Sequence, residues 1–269
     1  MTRLTGPLAD HLEYYRDLGI RELYDFSAAP DGAAEIASAK AGVLEAAPTG
    51  AAEIASAKAP ATRSADRLAD ETPTSALHEA LRQEVAECRK CRLCETRTQT
   101  VFCDGVPGAR VMFVGEAPGA DEDAQGVPFV GRAGQLLTKM IENGMGLPRS
   151  SVYIANVLKC RPPGNRDPQP DEAAACRGYL EAQIDLVKPE VLVALGKHAA
   201  QFLLDTEEPI SRLRGKWGSF HGVPVLPTFH PSYLLRSPDK KKEAWDDLQK
   251  VMHRLGLSVP KSSSRTGTP

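Results

Sequence analysis

Six cysteines and a few polar residues at the ends of apolar runs hold the chemical potential of this 269-residue chain. Cys88 and Cys91 form a C-x-x-C pair. Cys160 and Cys176 form a second, looser pair, each near a predicted element boundary. This pattern suits four thiolates around one soft centre, either a zinc ion or an iron–sulfur cluster. Spacing does not choose between the two, and unconnected free thiols are the plainer alternative. Cys94 and Cys103 are left over. Arg89, Lys90, Arg92, Lys159 and Arg161 surround these cysteines, available to offset thiolate charge or to meet phosphates. Glu116 places one carboxylate in the turn Gly115–Gly119, directly after the apolar run Val111–Val114. Asn156 and His230 also stand at the ends of apolar runs. Phe129 is a large ring in a loop between Pro128 and Gly131, with an ordinary core position as its alternative.

These residues need a scaffold, and the hydrophobic pattern supplies one. Val111–Val114 reads as a buried strand, followed by a polar loop and then Gln135, Leu136, Leu137, Met140 and Ile141 at helical spacing. Upstream, Thr74 or Ser75 can cap a helix carrying Leu77, Leu81, Val85 and Ala86. Further strands are predicted over 151–156, 190–195 and 223–229, and helices over 172–187, 197–204 and 245–255. Strands alternating with helices predict a three-layer α/β/α domain around a mostly parallel four-stranded sheet. In such sheets ligands bind beyond the C-terminal ends of the strands, which is where Glu116 falls.

The charge is divided unevenly. Residues 1–87 hold eight Lys/Arg against fifteen Asp/Glu, whereas the remainder holds 25 against 20. A basic domain behind an acidic leader is compatible with a polyanionic partner. Residues 1–26 contain a short amphipathic helix pattern over 8–25, able to dock on a partner. Residues 27–74 form an Ala-rich linker in which Gly32–Ala41 and Gly50–Ala59 read identically. Two copies are too few for a solenoid and too poor in large apolar residues to offset ordering entropy. The folded domain is expected over 75–260, with a frayed tail at 261–269. No apolar run is long enough to span a bilayer and no secretory signal pattern is present, so an intracellular chain with reduced cysteines is expected.

Six segments stand in order: CRKCRL from Cys88, GEAPG from Gly115, GVPFVGRAGQLL from Gly126, NVLKCRPPGNRDP from Asn156, LRGKW from Leu213 and FHPSYLLR from Phe229. Together they resemble the family 4 uracil-DNA glycosylases, the iron–sulfur branch of the uracil-DNA glycosylase superfamily. The resemblance covers Cys88 to Leu255 and leaves the leader outside it. It implies that Cys88, Cys91, Cys160 and Cys176 hold a structural 4Fe-4S cluster, with Cys94 and Cys103 free. It also implies a monofunctional DNA-repair hydrolase, acting as a cytoplasmic, nucleoid-associated monomer on uracil-containing DNA and leaving an abasic site. A relative that binds and traps uracil-DNA without turnover is the alternative. That relative carries a His in an inserted basic loop where this chain has RPPGNRDP.

The chemistry of excision then assigns roles. A flipped base needs an aromatic face, for which Phe129 is the candidate. The uracil edge offers an acceptor and a donor that the Asn156 amide matches and that cytosine would mismatch. The uracil anion needs a donor at O2, expected from His230. Leu234 is expected to fill the hole left by the flipped nucleotide. Ser232, Arg236, Arg214 and Lys216 are expected to contact phosphates. Glu116 is expected to orient water or stabilise the cationic sugar, with binding of loop N–H groups as its alternative. Ala117 lies against the substrate where other branches carry an Asp, and Gly119 stands where they carry a Tyr that excludes thymine. His198 and His221 are read as structural or surface residues.

Overall fold

The computed structural model describes residues 73–259. The helix expected at 8–25, the duplicated segment and the tail at 261–269 lie outside the described residues. Helix α1 (Pro73–Glu87) buries Leu81 and Val85, the apolar positions expected of it. Strand β1 (Val111–Gly115) is buried along its whole length, as is β2 (Tyr153–Asn156). So is β3 (Val191–Leu195). Continuous apolar strands follow from a parallel sheet that is covered on both faces, where an alternating pattern would leave polar groups in the core.

Two short helices separate β1 from β2: α2 (Ala120–Gln125) and α3 (Arg132–Lys139). The chain continues from α3 into a wider π-helical turn, Met140–Met145, which keeps Ile141 and Met145 buried. Helix α4 (Pro170–Val187) returns the chain from β2 to β3, and α5 (Lys197–Leu204) follows β3. A single turn, α6 (Ile210–Leu213), leads to β4 (Gly218–Phe220) and β5 (Val223–Thr228). Helices α7 (Pro231–Arg236) and α8 (Lys241–Arg254) complete the domain.

The strand order is β2-β1-β3-β5-β4, with β2, β1, β3 and β5 mutually parallel and β4 antiparallel to β5. The sheet therefore has five strands where four were expected. The added strand is three residues long, too short to show a period. It is joined to β5 by His221 and Gly222, whose φ angles of 47° and 81° suit a two-residue hairpin turn. One face of the sheet packs Val111, Phe113 and Val193 against Leu137 of α3 and Leu248 and Val251 of α8. Helices α4 and α5 contact β2 and β3, and α1 lies along α4. The chain leaves β1 toward β2 on one side and later enters β3 on the other. The crevice between the ends of β1 and β3 is thus a topological switch point, where ligands bind in open α/β sheets.

Candidate active site and cysteine centre

A cavity of about 360 Å³ opens at that edge, and Glu116, Ala117, Phe129, Asn156, His230 and Ser232 all line it. The Gly115 backbone makes the close approach possible. A side chain there would collide with Asn156 Oδ1 and reach within 2.5 Å of Phe129 Cζ. Phe129 has φ 55°, a left-handed conformation that a bulky residue adopts only when its surroundings enforce it. Glu122 does much of the enforcing. Its carboxylate accepts from the Val130 and Gly131 amides at 2.9 Å each and from Gly119 at 3.1 Å. Arg149 also donates to Pro128 O at 2.9 Å. Glu122 was not singled out from the sequence; it reaches back to the amide of the helix-capping Gly119, the one half of a capping box that a glycine cap allows. A Cβ on Gly119 would lie 2.6 Å from Glu122 Oε2, so the carboxylate fills the space that a side chain at 119 would need.

Asn156 is 2 % exposed, and its Oδ1 has no hydrogen-bond partner among the described residues. An orphaned buried acceptor costs roughly 1–3 kcal/mol, so its retention on a cavity wall points to a ligand donor. Its main-chain oxygen accepts from Lys159 Nζ at 2.6 Å, and Lys159 also donates to Gln183 Oε1 at 2.5 Å. Lys159 is buried, which pulls its pKa down to about 8. Of the two uses considered for this cation, meeting phosphate is excluded by burial.

His230 caps the N-terminus of α7. Its Nδ1 accepts from the Ser232 amide at 3.1 Å and lies 2.7 Å from Ser232 Oγ. A nitrogen accepting an amide N–H carries no proton of its own, so the neutral ring presents Nε2–H as a donor. Burial, and then the charge of Arg236, lower the His230 pKa to about 4. Gly196 (φ 89°) ends β3 against this ring, and a Cβ there would sit 2.9 Å from His230 Cβ. Ser232, expected on a phosphate, lies against His230 and lines the cavity.

Burial raises the pKa of Glu116 and Asp167 raises it further, while His198 and Lys197 oppose them. His198 Nε2 lies 3.1 Å from Asp167 Oδ2 and 3.8 Å from Glu116 Oε2. The reading of His198 as a structural or surface residue missed this placement, although its position just past the β3 end, on the ligand-binding edge, was a signal. His221 is half-exposed and stacks on Phe220, with ring centroids 4.2 Å apart.

Packing corrects two further expectations, one on α7 and one at the end of α6. Leu234 is 1 % exposed and packs with Phe229 and Ala244, so it is a core residue. Leu235, about 100° further round the helix, is 36 % exposed. Arg214 donates to Asp247 Oδ1 at 2.7 Å and Oδ2 at 3.1 Å and also to the Glu243 carbonyl, so its guanidinium is committed within the fold rather than free for phosphate. Arg236 and Lys216 are exposed.

All six cysteines are free thiols. Cys160 and Cys176 are buried with Leu93 and Leu158, and Cys91 and Ala117 pack against them. Cys88 opposes the ionisation of Cys91 and Cys160, and Cys94 that of Cys91, so these thiols lie near one another. Burial raises the Cys176 thiol to about 11, and it raises Cys91 and Cys160 as well. Buried thiols that oppose one another's ionisation are suited to a shared metal. Arg97 Nη1 donates to Cys160 Sγ at 3.2 Å. Among the described residues no three cysteine sulfurs lie within 4.8 Å of one another, a wider set than the ~3.8 Å separation around one tetrahedral zinc with ~2.3 Å bonds. The sulfurs are therefore spread more widely than one tetrahedral zinc requires. Arg92 and Arg166 both reach the buried Glu172 at the start of α4, tying the Cys91 loop to the helix of Cys176. Cys94 neighbours Cys91, whereas Cys103 lies apart, 3.7 Å from His78 Nε2.

Comparison with known proteins places these features in a lineage. Residues 102–249 match the uracil DNA glycosylase superfamily. A type-4 uracil-DNA glycosylase of Archaeoglobus fulgidus is 46% identical over 188 residues, covering 66% of this chain and 93% of the relative. One from Thermotoga maritima is 46% identical over 181 residues, covering 65% and 93%. A type-5 uracil-DNA glycosylase of Thermus thermophilus is 33% identical over 158 residues, covering 47% and 71%. The matched residues 102–249 take in the sheet and the cavity, and the chain belongs to the type-4 uracil-DNA glycosylases of that superfamily.

Proposed function

We propose that this chain is a DNA-repair hydrolase that excises flipped-out uracil by cleaving its N-glycosidic bond and leaves an abasic site. Family membership carries the activity, and the orphaned Oδ1 of Asn156 carries the choice of base. Uracil N3–H satisfies that acceptor, and the amide Nδ2 donates to O4. Cytosine presents the opposite polarity at both positions. Phe129 provides the face on which the base lies, and the Glu122 carboxylate closes the pocket beside Gly119. The neutral His230 ring donates from Nε2 to O2, where negative charge collects as uracil leaves. Glu116 faces the sugar, orienting water and offsetting positive charge on it. Ala117 cannot supply a second carboxylate. The substrate is DNA, and Arg236 and Lys216 meet its phosphates. Among the described residues no helix is long and apolar enough to cross a membrane.

Cys88, Cys91, Cys160 and Cys176 would hold a 4Fe-4S cluster. Bound there, it supplies a structural tie between the loop before β1, the loop after β2 and α4.

The reading is tested by single-turnover release of uracil from an oligonucleotide. Asn156→Asp should lower the rate and the preference for uracil over cytosine together. A carboxylate cannot donate to O4 and repels the leaving anion; loss of one buried hydrogen bond of this kind costs about 1–3 kcal/mol, roughly 5- to 150-fold. Full rate with full discrimination in this variant would show that Asn156 does not read the base.

The same assay separates the two leucines of α7. Leu235 is the apolar group available to fill the vacated stack, so Leu235→Ala should weaken excision from duplex more than from single strands. Leu234→Ala should instead lower thermal stability by about 2–5 kcal/mol, as for any buried leucine. If Leu235→Ala changes neither substrate while a folded Leu234→Ala loses duplex activity selectively, the wedge is Leu234 after all.

A further inference from the structure

Three strand ends bring one acid, one imidazole and a second acid together beside the cavity. Glu116 follows β1, Asp167 comes from the loop after β2, and His198 begins α5 after β3. One ligand atom from each lies within 4.8 Å of the others. Both carboxylates face the same ring nitrogen, His198 Nε2, so that nitrogen must carry a proton to avoid three mutually repelling acceptors. Among the described residues His198 is the single ionic partner within 4.0 Å of Glu116. Asp167 is 76% exposed, and a contact so open to water adds little to stability. Its consequence is felt by the ring it holds.

We propose that His198, steadied by Asp167, is a positioning residue for Glu116, holding that carboxylate in the orientation and charge state the excision step requires. The proposal rests on the reading that Glu116 acts on the water or the sugar. A partly buried carboxylate beside a second acid is inclined to take up a proton, and a protonated Glu116 could neither orient water as an acceptor nor offset a cationic sugar. The remaining charges near it are accounted for. Lys197, beside His198, adds to the cationic side. Glu122 is held by three backbone amides and Arg166 by Glu172. Asp121 and Arg132 also line the cavity.

The test is single-turnover excision as a function of pH, with DNA binding followed separately, for full-length wild type, Glu116→Gln, His198→Gln, Asp167→Asn and Glu116→Gln/His198→Gln. His198→Gln should slow the chemical step by on the order of tenfold, a fraction of the roughly 100- to 10,000-fold that an acid–base group contributes. It should move the acid limb of the profile to higher pH, because a neighbour that holds the Glu116 pKa down is lost. Asp167→Asn should move that limb to lower pH, because an anionic neighbour is lost. In the Glu116→Gln background, His198→Gln should add nothing. A slow Glu116→Gln combined with a wild-type rate and profile in His198→Gln overturns the proposal while sparing the role of Glu116. A Glu116→Gln enzyme at the wild-type rate overturns that role itself. Should His198→Gln fail to fold, Asp167→Asn still decides: an unmoved acid limb refutes the coupling.

Discussion

Replacing His230 with Ala is expected to slow single-turnover uracil excision by roughly 100- to 1,000-fold, the usual cost of removing one donor to a developing oxyanion. The loss should fall on the chemical step, because charge on O2 appears only as the glycosidic bond breaks. Binding to uracil-containing DNA should change little. The geometry names the donor atom the ring can offer: Ser232 occupies Nδ1, which leaves Nε2–H. Ser232→Ala retains the amide donor and should therefore cost far less than His230→Ala. The pH dependence has a definite sign. The His230 pKa is lowered from 6.5 to about 4, so the neutral donor form persists as pH falls through the ordinary histidine range. Burial raises the Glu116 pKa, so an acid limb in the profile is expected from Glu116 before His230. Between about 4 and 6.5 the unfolded chain binds a proton that folded His230 refuses, so stability rises with pH across that window and is lost as pH falls through it. If His230→Ala excises uracil at the wild-type chemical rate, the oxyanion donor is another group.

Replacing Cys160 with Ala should remove soluble protein and the visible absorbance of the cluster together. Metal binding and folding are one process in small metal-stabilised regions, where a structural ion contributes on the order of 10 kcal/mol, as much as the whole stability of a typical domain. Cys160 is 3% exposed and accepts from Arg97, so its loss also leaves a guanidinium without its sulfur partner. Cys88→Ala should behave alike. Cys94→Ala and Cys103→Ala should keep both colour and solubility, measured by absorbance and iron content of the purified chain. The tie should also weaken in acid. Arg166 and then the Gln169 amide hold Glu172 down to about pKa 2, so its contribution is complete above the ordinary carboxylate range and disappears as pH falls toward 2. If Cys94→Ala bleaches the protein and Cys88→Ala does not, the ligand set is wrong.

Much of this site could be read directly from local composition. A parallel strand covered on both faces must be a continuous apolar run, so β1, β2 and β3 announced themselves, and Glu116 after β1, Asn156 closing β2 and His230 two residues past β5 fell on the ligand-binding edge. Glu116, Asn156 and His230 were candidates for that reason, and the C-x-x-C pair from its spacing alone; the fold brings the first three to one cavity. What escaped notice depends on contacts between segments remote in the chain. Strand β4 has three residues and exists through its pairing with β5. Leu234 and Leu235 are identical in type, and the docking of α7 on its neighbours decides which is buried. Arg214 looks like any surface cation until Asp247, 33 residues on, is packed beneath it. His198 has no carboxylate within a helical turn of it, and its partners Glu116 and Asp167 arrive from two other strand ends. Backbone preference and burial period are properties of neighbouring residues and are written in the order of the chain. The partners of a charge, and the outward face of a short helix, are set by how finished elements dock, and for those the three-dimensional fold is the source.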